Sequence, residues 1–182
     1  MFEFLSQELN ELYGEDKKKL RTNTILYGHL EEGRWHTHLQ PPLSSESIAQ
    51  FEAGLKQEFP PQYKNFLSLY NGCYIFDLLR VAGKEPDTFK GMSIEEQAHS
   101  PFPLEYMKDL YLRKRTPKSH FIFADSVVKN TYYVIDVDSQ VLEMDFRTKK
   151  IINTYEDLKI FLYEILFEGK ENLTNGIYYE FE

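Results

Sequence analysis

Between positions 121 and 153 the chain carries four runs rich in β-branched and aromatic residues, and the later runs are separated by only two or three residues. The runs are Phe121-Ile122-Phe123-Ala124, 131–137, 140–146 and 150–153, with Asp138-Ser139 and Arg147-Thr148-Lys149 as the short breaks. Connections that short join only antiparallel neighbours, because a parallel return needs a crossover of a dozen or more residues. The spacing therefore predicts an antiparallel meander in this part of the chain.

Helical patterns flank the meander. Ser44 and Ser45 offer N-cap oxygens, Glu46 falls in the first turn, and Ile48, Phe51 and Leu55 recur on one face. Phe59-Pro60-Pro61 interrupts that helix, and Pro61 can open a second one whose apolar side is Tyr63, Phe66, Leu67 and Tyr70, closed by Asn71-Gly72. After the meander, Thr154 and Asp157 read as a capping box for a helix with Leu158, Phe161, Leu162, Ile165 and Leu166 on its apolar face, ended by Gly169. Leu5, Leu9 and Leu12 predict a short N-terminal helix, Lys17, Lys18, Lys19 and Arg21 a solvated connector, and 24–27 and 34–39 short strands. Segment 77–119, with four prolines, reads as loops and short helices, and Ile177 to Phe181 as an edge strand or a mobile tail. The fold class expected is α+β: a single domain, mainly an antiparallel sheet, packed by two helices from the first half and one from the C-terminal end.

A length of 182 residues suits one core, and 28 aromatic residues' worth of composition, 15%, excludes a disordered chain. One cysteine, Cys73, forms neither an internal disulfide nor a thiolate zinc cluster, which points to a reducing, cytoplasmic setting. The N-terminus lacks the basic start and apolar stretch of a secretory signal, and no run reaches the roughly 18 apolar residues a membrane helix needs. With 21 Lys and Arg against 29 Asp and Glu, a net charge of −8 opposes general nucleic-acid binding and favours a basic protein partner.

Motifs for chemistry are missing: no phosphate-cradling loop, dinucleotide fingerprint, nucleophile elbow or metal-binding helix occurs. His36-x-His38 would put two imidazoles on one side of a strand, but without a third ligand nearby it reads as polarity on a strand, so no metal or cofactor is expected. Cys73 reads as a small buried hydrophobe, and the basic run from Arg113 to Lys118 as a solvated loop. A small hydrolase built on Glu143, Asp145 or the histidines lacks an assembled nucleophile, base and orienting group.

The hairpin in the meander yields the candidate site. A two-residue turn at Asp138-Ser139 would pair Ile135 with Leu142 and Tyr133 with Met144, leaving Tyr132, Asp136, Glu143 and Asp145 together on an outward face. Three carboxylates beside an exposed tyrosine would suit a basic protein surface, so these four residues are the candidate partner-binding set.

Several of these features together resemble the SUKH family, which includes the fungal cell-wall synthesis regulator and many bacterial immunity proteins. They are Pro42-Leu43-Ser44-Ser45-Glu46-Ser47-Ile48, Phe51, Leu55, Phe59-Pro60-Pro61-Gln62-Tyr63, Phe66-Leu67 and Tyr70-Asn71-Gly72, followed later by Phe123-Ala124-Asp125-Ser126 and Tyr132-Tyr133-Val134-Ile135-Asp136. The resemblance divides the chain into an N-terminal extension (1–41), a SUKH-like domain (42–168) and a tail (169–182). It departs from the family where Cys73 stands in place of a second glycine. What it implies is a non-enzymatic binding module, an immunity protein occluding a nuclease-type toxin, with a regulatory scaffold like the fungal member as the alternative.

Overall fold

The computed structural model describes residues 2–113 and 116–179. At its centre is one nine-stranded sheet in which each strand pairs antiparallel with the next in the chain. The strands are β1 (Lys17–Lys19), β2 (Ile25–His29), β3 (Trp35–Leu39), β4 (Cys73–Ile75), β5 (Leu79–Val81), β6 (Phe121–Ser126), β7 (Thr131–Ile135), β8 (Val141–Asp145) and β9 (Ile151–Tyr155). The α-helices are α1 (Phe4–Tyr13), α2 (Ser45–Leu55), α3 (Pro61–Leu67), α4 (Ile94–Ala98), α5 (Leu104–Tyr111) and α6 (Leu158–Thr174). The α+β class, the C-terminal meander and the closing helix are all as the sequence predicts.

One face of the sheet is packed by α3 and α6. Ser44 caps α2 by accepting from the Ser47 N–H, and Pro61 opens α3, which buries Tyr63, Phe66 and Leu67. The Tyr63 ring lies 5.0 Å from Phe121, and its hydroxyl, deep in this layer, donates to the Ala82 carbonyl at 2.8 Å. From α6, Phe161 meets Tyr133 at 4.6 Å and Tyr155 at 5.1 Å, while Leu158, Leu162 and Ile165 are buried beside it. Each such side chain withdrawn from water stabilises the fold by about 2 to 3 kcal/mol, which is why the helical spacing in the sequence was a sound guide to this layer.

Several boundaries differ from the sequence reading. Lys17–Lys19 is an edge strand, not a connector, and Leu79–Val81 is a strand inside a segment that reads as loops. Helix α3 stops at Leu67, so Asn71-Gly72 has a different task. The Asn71 carboxamide accepts from the Lys84 N–H at 2.6 Å and donates to the Lys84 carbonyl at 2.8 Å. Gly72 has φ 90°, and a Cβ there would sit 2.8 Å from the Val81 carbonyl oxygen, so this pair brings the chain against β5. At α6 the N-cap is Asp157, which accepts from the Ile160 N–H, while Thr154 lies in β9. Gly169 falls inside α6 because the Phe76 ring occupies the space a Cβ would need. Residues 175–179 are irregular, and Glu180 and Phe181 of the expected edge strand lie outside the described residues, as do Lys114 and Arg115 of the basic run.

Candidate functional site

The opposite face carries a row of polar side chains across the sheet. Partners directly opposite one another in a sheet share a face, and the registers run Leu26 to His38, His38 to Tyr74, Tyr74 to Arg80, Arg80 to Asp125, Asp125 to Tyr132, and Tyr132 to Met144. Arg80 grips Asp125 with two hydrogen bonds, Nε to Oδ1 at 2.9 Å and Nη2 to Oδ2 at 2.6 Å, and its guanidinium carbon lies 3.6 Å over the Phe102 ring. Helix α5 closes one end of the row: Tyr111 stacks on Tyr132 at 4.8 Å and donates its hydroxyl to Asp125 Oδ2 at 2.5 Å. Burial, then Asp125, pushes the Tyr111 hydroxyl's pKa up, which keeps it a donor. Asp125 is fully buried, and this double engagement is what makes a carboxylate tolerable there.

The other end of the row is open. A cleft of about 310 Å³ lies over His38, Tyr74 and Arg80, walled by Arg34, Trp35 and Asp77 on one side and by residues 98–102 on the other. His38 stacks on Tyr74 at 5.3 Å and meets His99 edge-on at 5.4 Å. Burial and then His99 push His38 down to about 3, so at neutral pH it is an uncharged hydrogen-bonding group. Gln40 donates to the His99 carbonyl at 2.6 Å, which ties the far wall to the end of β3.

Asp77 is held at the cleft by an unusual turn. Phe76 and Asp77 both have positive φ, 56° and 59°, in a turn closed by the Leu78 N–H on the Ile75 carbonyl at 2.9 Å. Left-handed backbone at a bulky residue costs roughly 1 to 3 kcal/mol. The cost is offset by Phe76, which is buried between His36, Tyr13 and Gly169, and whose N–H donates to Thr37 Oγ1 at 3.1 Å. Asp77 Oδ2 pairs with Arg34, while Asp77 Oδ1 and Trp35 Nε1 are buried with no hydrogen-bond partner. Burial raises the Asp77 carboxyl's pKa, opposed by Arg34. Both atoms belong to residues that line the cleft, and Tyr74 joins Arg34 in opposing the effect of burial on the Asp77 carboxyl.

His36 and His38 have separate partners. His36 Nδ1 bonds the Tyr13 hydroxyl at 2.7 Å, and burial, then Arg34, pushes its pKa down to about 4. Among the described residues no group of three or more His, Cys, Asp and Glu is placed to hold a metal ion. Cys73 is buried, and desolvation pushes its thiol up, away from thiolate reactivity.

The hairpin face expected from sequence is not assembled. The loop has three residues, 137–139, with Ser139 at φ 66°, and Asp136 Oδ1 accepts from the Asp138 and Gln140 N–H groups. Strand β8 is therefore displaced by one residue from the two-residue-turn register, and Tyr133 opposes Glu143 while Tyr132 opposes Met144. Tyr132 and Asp136 consequently face away from Glu143 and Asp145. Tyr132, at 2% exposure, lies under Tyr111, and Glu143, at 7%, sits on the α6 side accepting from the Tyr133 and Tyr155 hydroxyls at 3.3 and 3.1 Å. Asp145 Oδ1 accepts from the Arg147 and Thr148 N–H groups, holding the next turn. Strand β7 is buried along its whole length, so neither of its faces is open to a partner.

With this geometry in view, the SMI1/KNR4 family (SUKH-1) matches residues 42–164. The chain belongs to that family. That membership supports an immunity-protein or regulator-like module. A comparison with curated proteins finds no match. The matched span holds the cleft's floor on β4 and β5 and its wall at 98–102, whereas Arg34, Trp35 and His38 come from the three N-terminal strands, which continue the same sheet. Tyr74, Arg80, His99 and Trp35 were not singled out by sequence reasoning. The signal for Arg80 and Asp125 was a charge inside each of two short apolar runs, Leu79-Arg80-Val81 and Phe123-Ala124-Asp125; nothing in the sequence pairs them.

Proposed function

We propose that this chain is a non-enzymatic protein-binding module, an immunity protein that neutralises a basic, nuclease-type toxin domain by lying over the surface the toxin uses for its substrate. The observation that carries the reading is the SUKH-1 match, which includes the floor and one wall of the cleft. The net charge of −8 supports it, because carboxylates compete for the lysines and arginines a nuclease directs at phosphate. Asp136 and Asp145, both partly exposed, add to the field that steers such a partner, while the cleft supplies the contact. Asp77 Oδ1 and Trp35 Nε1 are buried beneath the cleft surface, so a shift of the side chains over them would let Oδ1 accept from a basic side chain or backbone N–H and Nε1 donate to a carbonyl. Tyr74 and Phe102 would contribute aromatic contact area around them. Nucleic acid is a poor ligand for so acidic a chain, and the lone buried thiol suits a reducing compartment.

The test is a search of the neighbouring genes for a basic nuclease-type domain, followed by co-expression of that domain with this chain. The wild type restores growth, and the folded Trp35→Ala and Tyr74→Ala variants lose protection, whereas Glu164→Gln on the exposed side of α6 keeps it. Failure of the wild type to protect would remove the immunity reading.

A further inference from the structure

The two edges of the sheet are finished differently. Strand β1 presents three exposed lysines, Lys17, Lys18 and Lys19, the usual means of stopping an edge from pairing with another chain. Strand β9 carries no charge at all: it reads Ile-Ile-Asn-Thr-Tyr, with Ile151 and Ile152 exposed by 55% and 56%, and its guard is a single bulge beside Ile152. Asp136 and Gln140 are hydrogen-bonded across the β7–β8 hairpin, and such pairs alternate, so Val141 and Glu143 direct their backbone groups at β9. There they meet Tyr155 and Asn153. Thr154 between them therefore turns its backbone outward, and its N–H, with no strand beyond, is met at 2.9 Å by the Asn153 side-chain oxygen.

The residues flanking β9 say what would cover it. Lys150 precedes the strand and Glu156 follows it, both exposed, and neither forms an ion pair with any described residue. They are equidistant from Asn153. An antiparallel copy of the same strand, centred on Asn153 and with the bulge at Ile152 straightened by the pairing, places Lys150 opposite Glu156, Ile151 opposite Tyr155, and Ile152 opposite Thr154, each twice by symmetry. No other single element need supply the complement.

We propose that β9 is a homodimer interface: two copies join edge to edge by two-fold antiparallel pairing centred on Asn153, with Lys150 of each copy meeting Glu156 of the other. The cleft lies over β3–β5, well inside the sheet, so both copies keep it open. This inference is independent of what the cleft binds.

Light scattering over a concentration series tests it. The wild-type mass should rise from 21.6 kDa toward twice that value. Lys150→Glu and Glu156→Lys each replace two opposite-charge cross-strand pairs with like-charge pairs and should weaken self-association by roughly tenfold or more. Mixing the two variants should restore the dimer, because every facing pair is then opposite again, and so should the double variant Lys150→Glu/Glu156→Lys. Circular dichroism of each variant should match the wild type, since both side chains are exposed. A wild type that stays at 21.6 kDa throughout, single variants that dimerise as the wild type does, or a mixture that remains monomeric would each overturn the proposal.

Discussion

The two faces of the sheet bury side chains by different means. Under α3 and α6 the contacts are Tyr63 on Phe121 and Phe161 on Tyr133, ring against ring, with hydroxyls finding whatever acceptor is in reach. Under α5 the buried group is a carboxylate, Asp125, tolerable only because Arg80 and Tyr111 arrive with defined geometry. The first kind of layer is non-directional and adjusts to substitution in proportion to the volume removed. The second is directional, and removal of one partner strands the others. Where that directional row runs out of partners, at Asp77 and Trp35, the molecule has its cleft. The comparison teaches that one sheet can bury aromatic rings on one face by volume and a carboxylate on the other by geometry.

The largest expected effect is on the apolar face. Phe161→Ala should destabilise the protein by roughly 3 to 5 kcal/mol in a denaturant melt, because Phe161 is fully buried and touches Phe123, Tyr133 and Tyr155. A loss below about 1 kcal/mol would mean that α6 is not the lid of this layer. Next is the directional row: Asp125→Asn keeps the shape but removes the charge facing Arg80, and should cost about 2 to 3 kcal/mol. Arg80, at 27% side-chain exposure, regains some water, which keeps the loss below that of a wholly buried pair. Equal stability of wild type and variant would show the row to be ornamental.

At neutral pH the next contribution is silent and appears only as pH dependence. His36 is buried and its folded pKa, about 4, lies below the ordinary 6.5. The unfolded chain therefore takes up the proton first. The contribution of neutral His36 is complete above pH 6.5 and is lost as pH falls toward 4, by about 1.4 kcal/mol per pH unit. The His36→Gln variant should show a shallower fall between pH 6.5 and 4 than the wild type, and because Asp77 Oδ2 lies 3.9 Å from His36 Nε2, the Asp77→Asn background separates its share. Parallel curves would mean that His36 titrates normally in the folded state. The smallest effect belongs to Glu143→Gln, whose single amide oxygen keeps one tyrosine donor while its NH2 group can donate to the other hydroxyl once that hydroxyl turns, and which should cost only about 1 kcal/mol by the same melt; a cost comparable to Asp125→Asn would erase the contrast between a carboxylate facing tyrosines and one facing arginine.

The apolar face was legible in the sequence because helical periodicity reports burial directly: Tyr63, Phe66, Phe161 and Leu162 stand where their spacing places them. The polar face was not. Alternation in 131–135 suggests one wet side, yet Tyr132 is covered by Tyr111 from a short helix inside the proline-rich segment that reads as loops and short helices. Register in the hairpin turned on whether Asp136 closes a two- or three-residue loop, and a shift of one residue moves Glu143 to the other face. The strained turn at Phe76 and Asp77 could not be foreseen, since Asp tolerates positive φ but Phe does not, and the support for Phe76 comes from Thr37, Tyr13 and Gly169, remote in the chain.

The claim that the open end of the polar row is where a partner binds can be measured at one atom. Trp35 is the chain's single tryptophan and lines the cleft, so replacing it biosynthetically with fluorotryptophan gives one fluorine resonance at the site in question. On titration with a basic toxin domain against which the chain protects, that resonance should shift and saturate in step with complex formation followed by sedimentation, and the shift should disappear in Tyr74→Ala. A complex that forms while the Trp35 resonance stays unmoved would place the partner elsewhere on the molecule and contradict the account.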